Sequence, residues 1–149
     1  MAEIPVDLKE ANRKTIEEFR SGGGRLSCRA LLLLTTTGSQ SGMLRTNPMM
    51  YINIDGRLLV VASNAGASKH PDWFRNLVAK PDVTVEHDGE EYAALAIVPT
   101  GDERDRIFNE VVRRYPFFGD YQTRVERTIP VVELVRRQAT GASVALKYD

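Results

Sequence analysis

The chain has 149 residues, of which 42% are hydrophobic, 27% charged and 7% aromatic, a composition typical of a folded globular domain rather than a disordered or collagen-like chain. Its 20 basic and 20 acidic side chains give a net charge of +0, which argues against a general nucleic-acid binder because such proteins carry a basic excess. The single cysteine and two histidines exclude an internal disulfide and form no metal-ligand motif. With no apolar run near the roughly 20 residues of a membrane span, we expect a cytoplasmic protein.

The first predicted element is a helix that begins at Asp7, an N-cap residue, and ends at the glycine run of residues 22–24. Consecutive glycines carry high backbone entropy and favour a mobile connection. We therefore divide the chain into residues 1–24, a helix with a glycine-rich connection, and residues 25–149, a single domain. Weak contact of this helix with a membrane is one hypothesis, although its polar face has mixed charge.

The remainder alternates strand and helix signals. Asp55-Gly56 and Asp88-Gly89 each separate two β-rich runs, the pattern of a hairpin with a two-residue turn. The other predicted segments, identified by apolar periodicity and by Gly or Pro at their ends, are strands at 30–37, 131–135 and 144–146, helices at 71–79 and 100–115, and a helical turn at 120–127. The predicted fold is α+β, mainly antiparallel β, with a small barrel-like sheet and flanking helices.

A glycine-bounded loop after the first strand is the clearest candidate site. It contains Ser39, Gln40 and Ser41, whose hydroxyls and backbone N–H groups are typical of an anion-binding concavity, and Arg45 follows it. Such loops are more often ordinary turns, so both interpretations stay open on the residues alone.

Four other segments have a functional and a structural interpretation each. Residues 46–48 are predicted to lie at a strand start, where they suit either contact of the Asn47 amide with a ring edge or the edge of a strand. Residues 63–66 suit either a polar lip over a pocket or a turn. Trp73 and Phe74 suit either the wall of a planar ligand or core packing. Residues 115–121, with four aromatic side chains, suit either an apolar site or a small satellite core. His70 and His87 are interpreted as surface or capping residues, and the charged run 103–106 as a solvated face.

Taken in order, these motifs resemble the deazaflavin-dependent nitroreductase family between about Asn12 and Leu134. The likeness rests on the segments Leu31 to Gly38, Ser41-Gly42, Arg45 to Pro48, Val61 to Ser63, Lys69 to Trp73, Asn76-Leu77, Tyr115-Pro116, Tyr121 and Arg127 to Pro130. The family binds reduced coenzyme F420, an 8-hydroxy-5-deazaflavin, in an FMN-binding-like split β-barrel. The resemblance therefore implies an oxidoreductase in which residues 25–149 form a single split-barrel coenzyme-binding domain.

The resemblance also assigns roles to residues of this chain. It implies that the coenzyme is held by Ser39, Gln40, Ser41, Arg45, Thr46, Asn47, Pro48, Met49, Met50, Ala62, Ser63, Asn64, Asp72, Trp73, Phe74, Arg75, Asn76 and Phe118. The hydroxyls of Ser63, Tyr115 and Tyr121 are the catalytic candidates, as hydrogen-bond donors or proton relays at the acceptor oxygen. No metal is expected.

The implied reaction is hydride transfer from reduced F420 to a quinone, a nitroaromatic or an activated alkene, by a monomer or a homodimer. Two alternatives remain. A non-enzymatic ligand-binding module is favoured by Ser39, Gln40 and Asn64, which stand where members of the family commonly carry cations. A reductase that uses FMN with NADPH needs fewer cations, because the FMN tail is shorter.

Overall fold

The structure, a computed structural model, describes residues 8–23 and 30–137. In chain order its elements are α1 (Leu8–Ser21), β1 (Leu31–Thr37), β2 (Leu44–Met50), β3 (Ile52–Ile54), β4 (Arg57–Val61), a 3-10 helix (Asn64–Gly66), α2 (Asp72–Ala79), β5 (Asp82–His87), β6 (Glu90–Ile97), α3 (Gly101–Arg114), α4 (Phe117–Arg124) and β7 (Val131–Arg136). The predicted N-cap Asp7 and the predicted strand at 144–146 lie outside the described residues.

One antiparallel sheet organises these elements. Its seven strands follow the order β2-β1-β5-β6-β7-β4-β3, so β2 and β3 are the two edges. The sheet curls until β2 comes close to β4, although the two strands are not paired. The result is a half-barrel flanked by helices, which confirms the predicted α+β, mainly antiparallel architecture.

Both Asp-Gly pairs form the hairpin turns that the sequence predicts. Asp55 and Gly56 have φ values of 53° and 78°, and Asp88 and Gly89 have 54° and 83°. A type I′ turn requires this left-handed conformation at both central positions, and its twist matches that of the flanking strands. The turns pair Ile54 with Arg57 and His87 with Glu90, which sets the register of both hairpins.

Two predicted boundaries are wrong. Thr46, Asn47 and Pro48 lie within β2 rather than at its start; proline is accommodated there because β2 is an edge strand. The last helix spans Phe117–Arg124 instead of residues 120–127. Pro116 occupies its N-cap, a place where a missing N–H costs nothing, and the backbone becomes extended at Val125.

Apolar side chains form two cores. The first core consists of Leu32, Leu34, Val60, Ala62, Phe74, Leu77, Val83, Val85, Ala94, Ala96, Val132 and Leu134. The second core consists of Ile52, Ile54, Leu59, Ile107, Phe108, Val111, Phe118, Ile129 and Val131. Helix α2 therefore packs on the first core, and α3 and α4 pack on the second. The segment that follows β4 and the start of β7 lie where the two cores meet.

Helix α1 contacts β2 and contributes its own buried anchor. Phe19 is 1% exposed, and Arg20 forms an ion pair of 2.7 Å with Glu86 on β5. None of the helices in the described ranges has the length and apolarity that would let it cross a bilayer.

Candidate functional site

The loop between β1 and β2 is held by its own hydrogen bonds. The Gly38 N–H donates to the Met43 carbonyl (2.7 Å), the Gly42 N–H to the Gly38 carbonyl (3.0 Å) and the Met43 N–H to Ser41 Oγ (3.1 Å). A Cβ added at Gly38 would lie 2.5 Å from Ser41 Oγ, which explains why glycine stands there. The loop is thus a compact turn closing onto the end of β1.

Asn76 of α2 fastens this loop to the sheet. Its Oδ1 accepts a hydrogen bond from the Ser39 N–H (3.0 Å), and its Nδ2 donates to Thr36 Oγ1 (3.1 Å). Asn76 and Thr36 are both buried, so their side-chain polar groups satisfy each other away from water, whereas Ser39 lies at the exposed end of the bridge. The amide of Asn76 is occupied by this bridge.

Fewer backbone donors are available in the loop than its composition predicts. The N–H groups of Gly38, Ser39, Gly42 and Met43 are all engaged within the protein. Within residues 8–23 and 30–137, the N–H groups of Gln40 and Ser41 have no such partner. Any anion that binds here meets two amides rather than a full nest of donors.

The alternation of β2 divides the predicted binding residues between two faces. Arg45, Asn47 and Met49 stand opposite Thr36, Leu34 and Leu32 of β1, on the face that carries the first core and α2. Their neighbours Thr46, Pro48 and Met50 point to the other face, where Thr46 Oγ1 lies 2.8 Å from Thr35 Oγ1 and Met50 packs on the second core.

Two side chains on the α2 side of β2 are unsatisfied. Arg45 is exposed and Asn47 is half-buried, and neither makes a hydrogen bond or ion pair with any described part of the chain. Nearby on α2, by contrast, Arg75 is already paired with Asp72. Arg45 is therefore the better placed of the two arginines to receive an anionic ligand without first breaking an ion pair.

Trp73 and Phe74, adjacent on α2, differ in burial. Phe74 is buried in the first core, whereas Trp73 is half-buried against the edge of that core and keeps part of its ring at the surface. Asp72, beside Trp73, is exposed. Trp73 is thus the residue of α2 that can present an aromatic face.

Ser63 follows β4 and is a buried polar residue, 8% exposed. Its hydroxyl makes no hydrogen bond among the residues that the structure describes. The 3-10 helix that follows has left-handed φ values at Asn64 (51°), Ala65 (52°) and Gly66 (80°). Such a conformation is costly for Asn and Ala and persists only where the surroundings enforce it. Buried hydroxyls are normally satisfied, so an orphaned one beside strained backbone indicates a ligand site.

The aromatic segment packs over this 3-10 helix. A Cβ added at Gly66 would lie 3.0 Å from Cδ1 of Tyr121, so the tyrosine ring rests on the glycine. The rings of Phe117, Phe118 and Tyr121 contact one another with centroids 4.4–6.2 Å apart. Phe118 is buried in the second core, while Tyr121 and Tyr115 are half-buried. The structure therefore brings Tyr121 next to residues 62–70, called the Ser63 segment below. It leaves Tyr115 at the other end of the aromatic cluster.

Two arginines have larger roles than the sequence indicates. Arg127, quoted above only as part of a motif, donates to the carbonyls of Ser63 (2.8 Å), Ala67 (3.1 Å) and Ala62 (3.3 Å). Arg104, predicted to lie on a solvated face, has a side chain only 11% exposed. That prediction is wrong because the guanidinium binds the Ile129 carbonyl (2.7 Å) and Gln122 Oε1 (2.9 Å) and covers the Phe108 ring.

His70, predicted to be a surface residue, is half-buried. Its ring lies 4.8 Å from that of Phe74, and its Nδ1 is 2.9 Å from the Arg127 guanidinium. Burial, followed by the positive charges of Arg127 and Arg75, lowers the pKa of His70. Because a guanidinium has donors only, Nδ1 is the acceptor in the hydrogen bond with Arg127.

A surface depression of about 420 Å³ lies elsewhere, between α3 and the β3–β4 hairpin. Charged side chains line it, including Arg57, which is paired with Glu103 and Glu133. None of the predicted site residues lines this depression. Its charged side chains pair with one another and join the hairpin to α3 and β7, which is a structural role. We therefore locate the candidate site where β2, α2 and the Ser63 segment converge.

Comparisons with known proteins assign the family. The family model described as F420H(2)-dependent quinone reductase matches residues 9–136. The Mycobacterium tuberculosis protein named F420H(2)-dependent quinone reductase Rv1261c is 33% identical over 130 residues, 80% of this chain and 85% of that protein. Another protein of that organism, Rv3178, is 34% identical over 116 residues, 78% of this chain and 98% of that protein.

Solved structures agree in fold. A structure described as an F420-H2 dependent reductase is 36% identical, with a TM-score of 0.63 over 71% of this chain and 94% of that one. A second, described as a domain-swapped dimer, is 33% identical, with a TM-score of 0.66 over 88% and 99%. These matches confirm the predicted resemblance and the split-barrel fold, and the chain belongs to the F420H(2)-dependent quinone reductase family.

Proposed function

We propose that this protein transfers a hydride from reduced coenzyme F420 to a quinone at the site formed by β2, α2 and the Ser63 segment. Family membership supports the reaction and the coenzyme. The observation that carries the location is the buried Ser63 hydroxyl, which lacks a partner in the described chain and lies beside backbone held in a left-handed conformation.

The residues present fit an anionic, ring-bearing coenzyme. Arg45 offers a guanidinium that pairs with no carboxylate of residues 8–23 and 30–137, and the N–H groups of Gln40 and Ser41, unpartnered in the same ranges, offer two further donors for the anionic tail. The partly exposed ring of Trp73 and the free amide of Asn47 suit a planar ring with polar edges. Met49 lies on the same face as Asn47. The remaining predicted ligands from β2, Thr46, Pro48 and Met50, support the site from the opposite face.

When bound, the coenzyme supplies the hydride. The protein has to exclude water, hold the acceptor and stabilise the charge that develops on the acceptor oxygen. A quinone that gains a hydride becomes a hydroquinone anion, which needs a proton on the other oxygen. We assign the hydroxyls of Ser63 and Tyr121 as the hydrogen-bond donors to that oxygen, because such donors stabilise developing charge most strongly in a site that excludes water. A tyrosine pKa near 10 makes Tyr121 a donor rather than a base at neutral pH.

Tyr115 is a weaker candidate than Tyr121. Its ring lies against Phe117 and Phe118, with centroids 6.1 and 6.5 Å apart, and no contact joins it to the Ser63 segment among the described residues. We assign Tyr115 and Phe118 to the apolar wall that receives the acceptor. Such a wall also accommodates nitroaromatics and activated alkenes, which we propose as further acceptors.

A second candidate is a ligand-binding module without reductase activity. The observation that favours it is the small number of donors at the loop: Ser39 and Gln40 stand exposed where cations are common in the family, and the Asn64 side chain is bonded to the Lys69 carbonyl (3.0 Å). Weak coenzyme binding would leave the apolar wall as the main functional surface. FMN, whose anionic tail is shorter, is the alternative coenzyme.

The test is a fluorescence titration of the purified protein with F420, with FMN and NADPH as controls, followed by oxidation of reduced F420 by a soluble naphthoquinone. Saturable F420 binding and quinone-dependent oxidation are expected. Ser63→Ala should lower the rate of oxidation while F420 still binds. Binding of FMN alone would support the alternative coenzyme, and binding of neither would support the ligand-binding module.

Contact with membranes and self-association are separate proposals. The structure described as a domain-swapped dimer leads us to propose a homodimer, which light scattering after gel filtration tests directly. Co-sedimentation of the full chain with anionic and neutral vesicles tests whether α1, with its Arg and Glu side chains, contacts a membrane surface.

A further inference from the structure

Arg127 stands in the connection between α4 and β7, yet every hydrogen bond of its side chain joins it to residues 57–65 positions earlier in the described chain. Its guanidinium donates to three backbone carbonyls, those of Ala62, Ser63 and Ala67, and to Nδ1 of His70. A planar guanidinium with five donors can hold several acceptors in one fixed arrangement, which an ammonium group cannot do. Arg127 therefore ties the two ends of one short segment, residues 62–70, to a single point.

That segment needs an external restraint. Between the carbonyls that Arg127 binds, the backbone passes through three consecutive left-handed residues, Asn64, Ala65 and Gly66. The local bonds are three: the Gly66 N–H donates to the Ser63 carbonyl (2.9 Å), the Ala67 N–H to the Asn64 carbonyl (2.9 Å) and Asn64 Nδ2 to the Lys69 carbonyl (3.0 Å) within the described residues. Strained backbone of this kind persists only when its surroundings determine it. The hydrogen bond from the Arg127 guanidinium to the Ser63 carbonyl (2.8 Å) restrains this backbone directly.

Arg127 also reaches the opposite wall of the site. Its own carbonyl accepts a hydrogen bond from Gln122 Nε2 (2.8 Å), and Gln122 belongs to α4, the helix that carries Tyr121. The Gln122 Oε1 in turn accepts from the Ile129 N–H (2.9 Å) and from Arg104 (2.9 Å). One connection thus links the Ser63 segment to the helix of the second hydroxyl candidate.

We propose that Arg127 is a positioning residue, which fixes the direction of the Ser63 hydroxyl and its placement relative to Tyr121 by holding the carbonyls of residues 62–67. It contacts neither coenzyme nor acceptor. The expected effect on kcat rests on the proposed function. The restraint of residues 62–67 by Arg127 does not, because it can be measured without coenzyme or quinone.

The first readout is hydrogen exchange of the full-length protein without ligand. Arg127→Lys keeps the positive charge but offers three donors on one nitrogen, without the planar fork, for the four acceptors that the guanidinium binds. Arg127→Met removes the donors altogether. Both variants should exchange the amides of residues 62–70 at least about tenfold faster than the unaltered protein. The amides of the β5–β6 hairpin should not change. Arg113→Lys is the matched control, because Arg113 is exposed on α3 and pairs only with Glu110.

The second readout is a double-mutant cycle with Ser63→Ala. If Arg127 acts through Ser63, Arg127→Lys should lower kcat about tenfold when Ser63 is present and by less than about twofold in the Ser63→Ala background, with KM for the quinone little changed. If Arg127→Met does not fold, Arg127→Lys alone decides the result.

Unchanged exchange in residues 62–70 of Arg127→Lys would overturn the inference, as would equal losses of kcat in the two Ser63 backgrounds. Absence of hydride transfer in the unaltered protein would overturn the proposed function only. In that case faster exchange in Arg127→Lys would still establish the restraint, because that measurement uses neither coenzyme nor quinone.

Discussion

Replacing Arg45 by glutamine tests whether the α2 side of β2 holds the anionic part of the coenzyme. An exposed ion pair contributes up to about 1 kcal/mol, and charge-assisted hydrogen bonds contribute roughly 1.5–3 kcal/mol. Arg45 has no ion-pair partner in the described chain, so nothing has to be broken before it binds a ligand. We therefore expect a loss of about 1.5 kcal/mol, which corresponds to roughly a tenfold increase in Kd for F420.

The assay is fluorescence titration of F420 at low and high salt. The unaltered protein should lose affinity as salt is added, and Arg45→Gln should lose less, because screening acts on a contact that the variant lacks. Arg113→Gln is the control. It also removes one positive charge, but from a side chain on α3 that is paired with Glu110. An unchanged Kd in Arg45→Gln, or an equal loss in Arg113→Gln, would refute the reasoning, since the effect would then be absent or a matter of net charge.

Three further predictions concern the Ser63 segment. Gly66→Ala should lower stability by about 1–2 kcal/mol and the melting temperature by several degrees, because Gly66 has φ 80° and a Cβ there would meet the Tyr121 ring at 3.0 Å; an unchanged melting temperature would contradict this contact. Tyr121→Phe should lower kcat about tenfold or more and leave the Kd for F420 within about twofold; equal losses in both would exclude the donor role. Because burial and Arg127 lower the pKa of His70 below its value in the unfolded chain, the unfolded state binds the proton more readily, and stability should fall as pH drops below about 6.5. Thermal unfolding between pH 7.5 and 5 should show a weaker pH dependence in His70→Gln than in the unaltered protein or in His87→Gln, and equal slopes would count against a buried neutral His70.

The features that local chemistry determines could be predicted from the sequence. The two Asp-Gly turns, the end of α1 at the glycine run and the start of α2 after Pro71 each depend on residues adjacent to the feature. The family resemblance was also visible, because its motifs keep their order over most of the chain.

The features that depend on distant contacts could not be predicted. Arg104 and Arg127 look like other arginines in charged or loop segments, and only folding brings Ile129, Gln122 and the Ser63 carbonyl to them. Similarly, the family resemblance assigns the consecutive residues 45–50 of β2 to the coenzyme without separating the two faces of the strand. A strand places neighbours on opposite faces, so Arg45 and Thr46 cannot serve the same ligand in the same way.

Pro48 on the edge strand β2 bears on the behaviour of the protein at high concentration. A seven-residue edge next to the exposed apolar side chains of Met43 and Leu44 could serve as a template for pairing with strands of other molecules. Proline has no N–H to donate and breaks the row of groups that a foreign strand needs, and the charge of Arg45 opposes the same pairing. The residue that interrupts β2 thereby protects the open side of the half-barrel against aggregation, independently of any part it takes in binding.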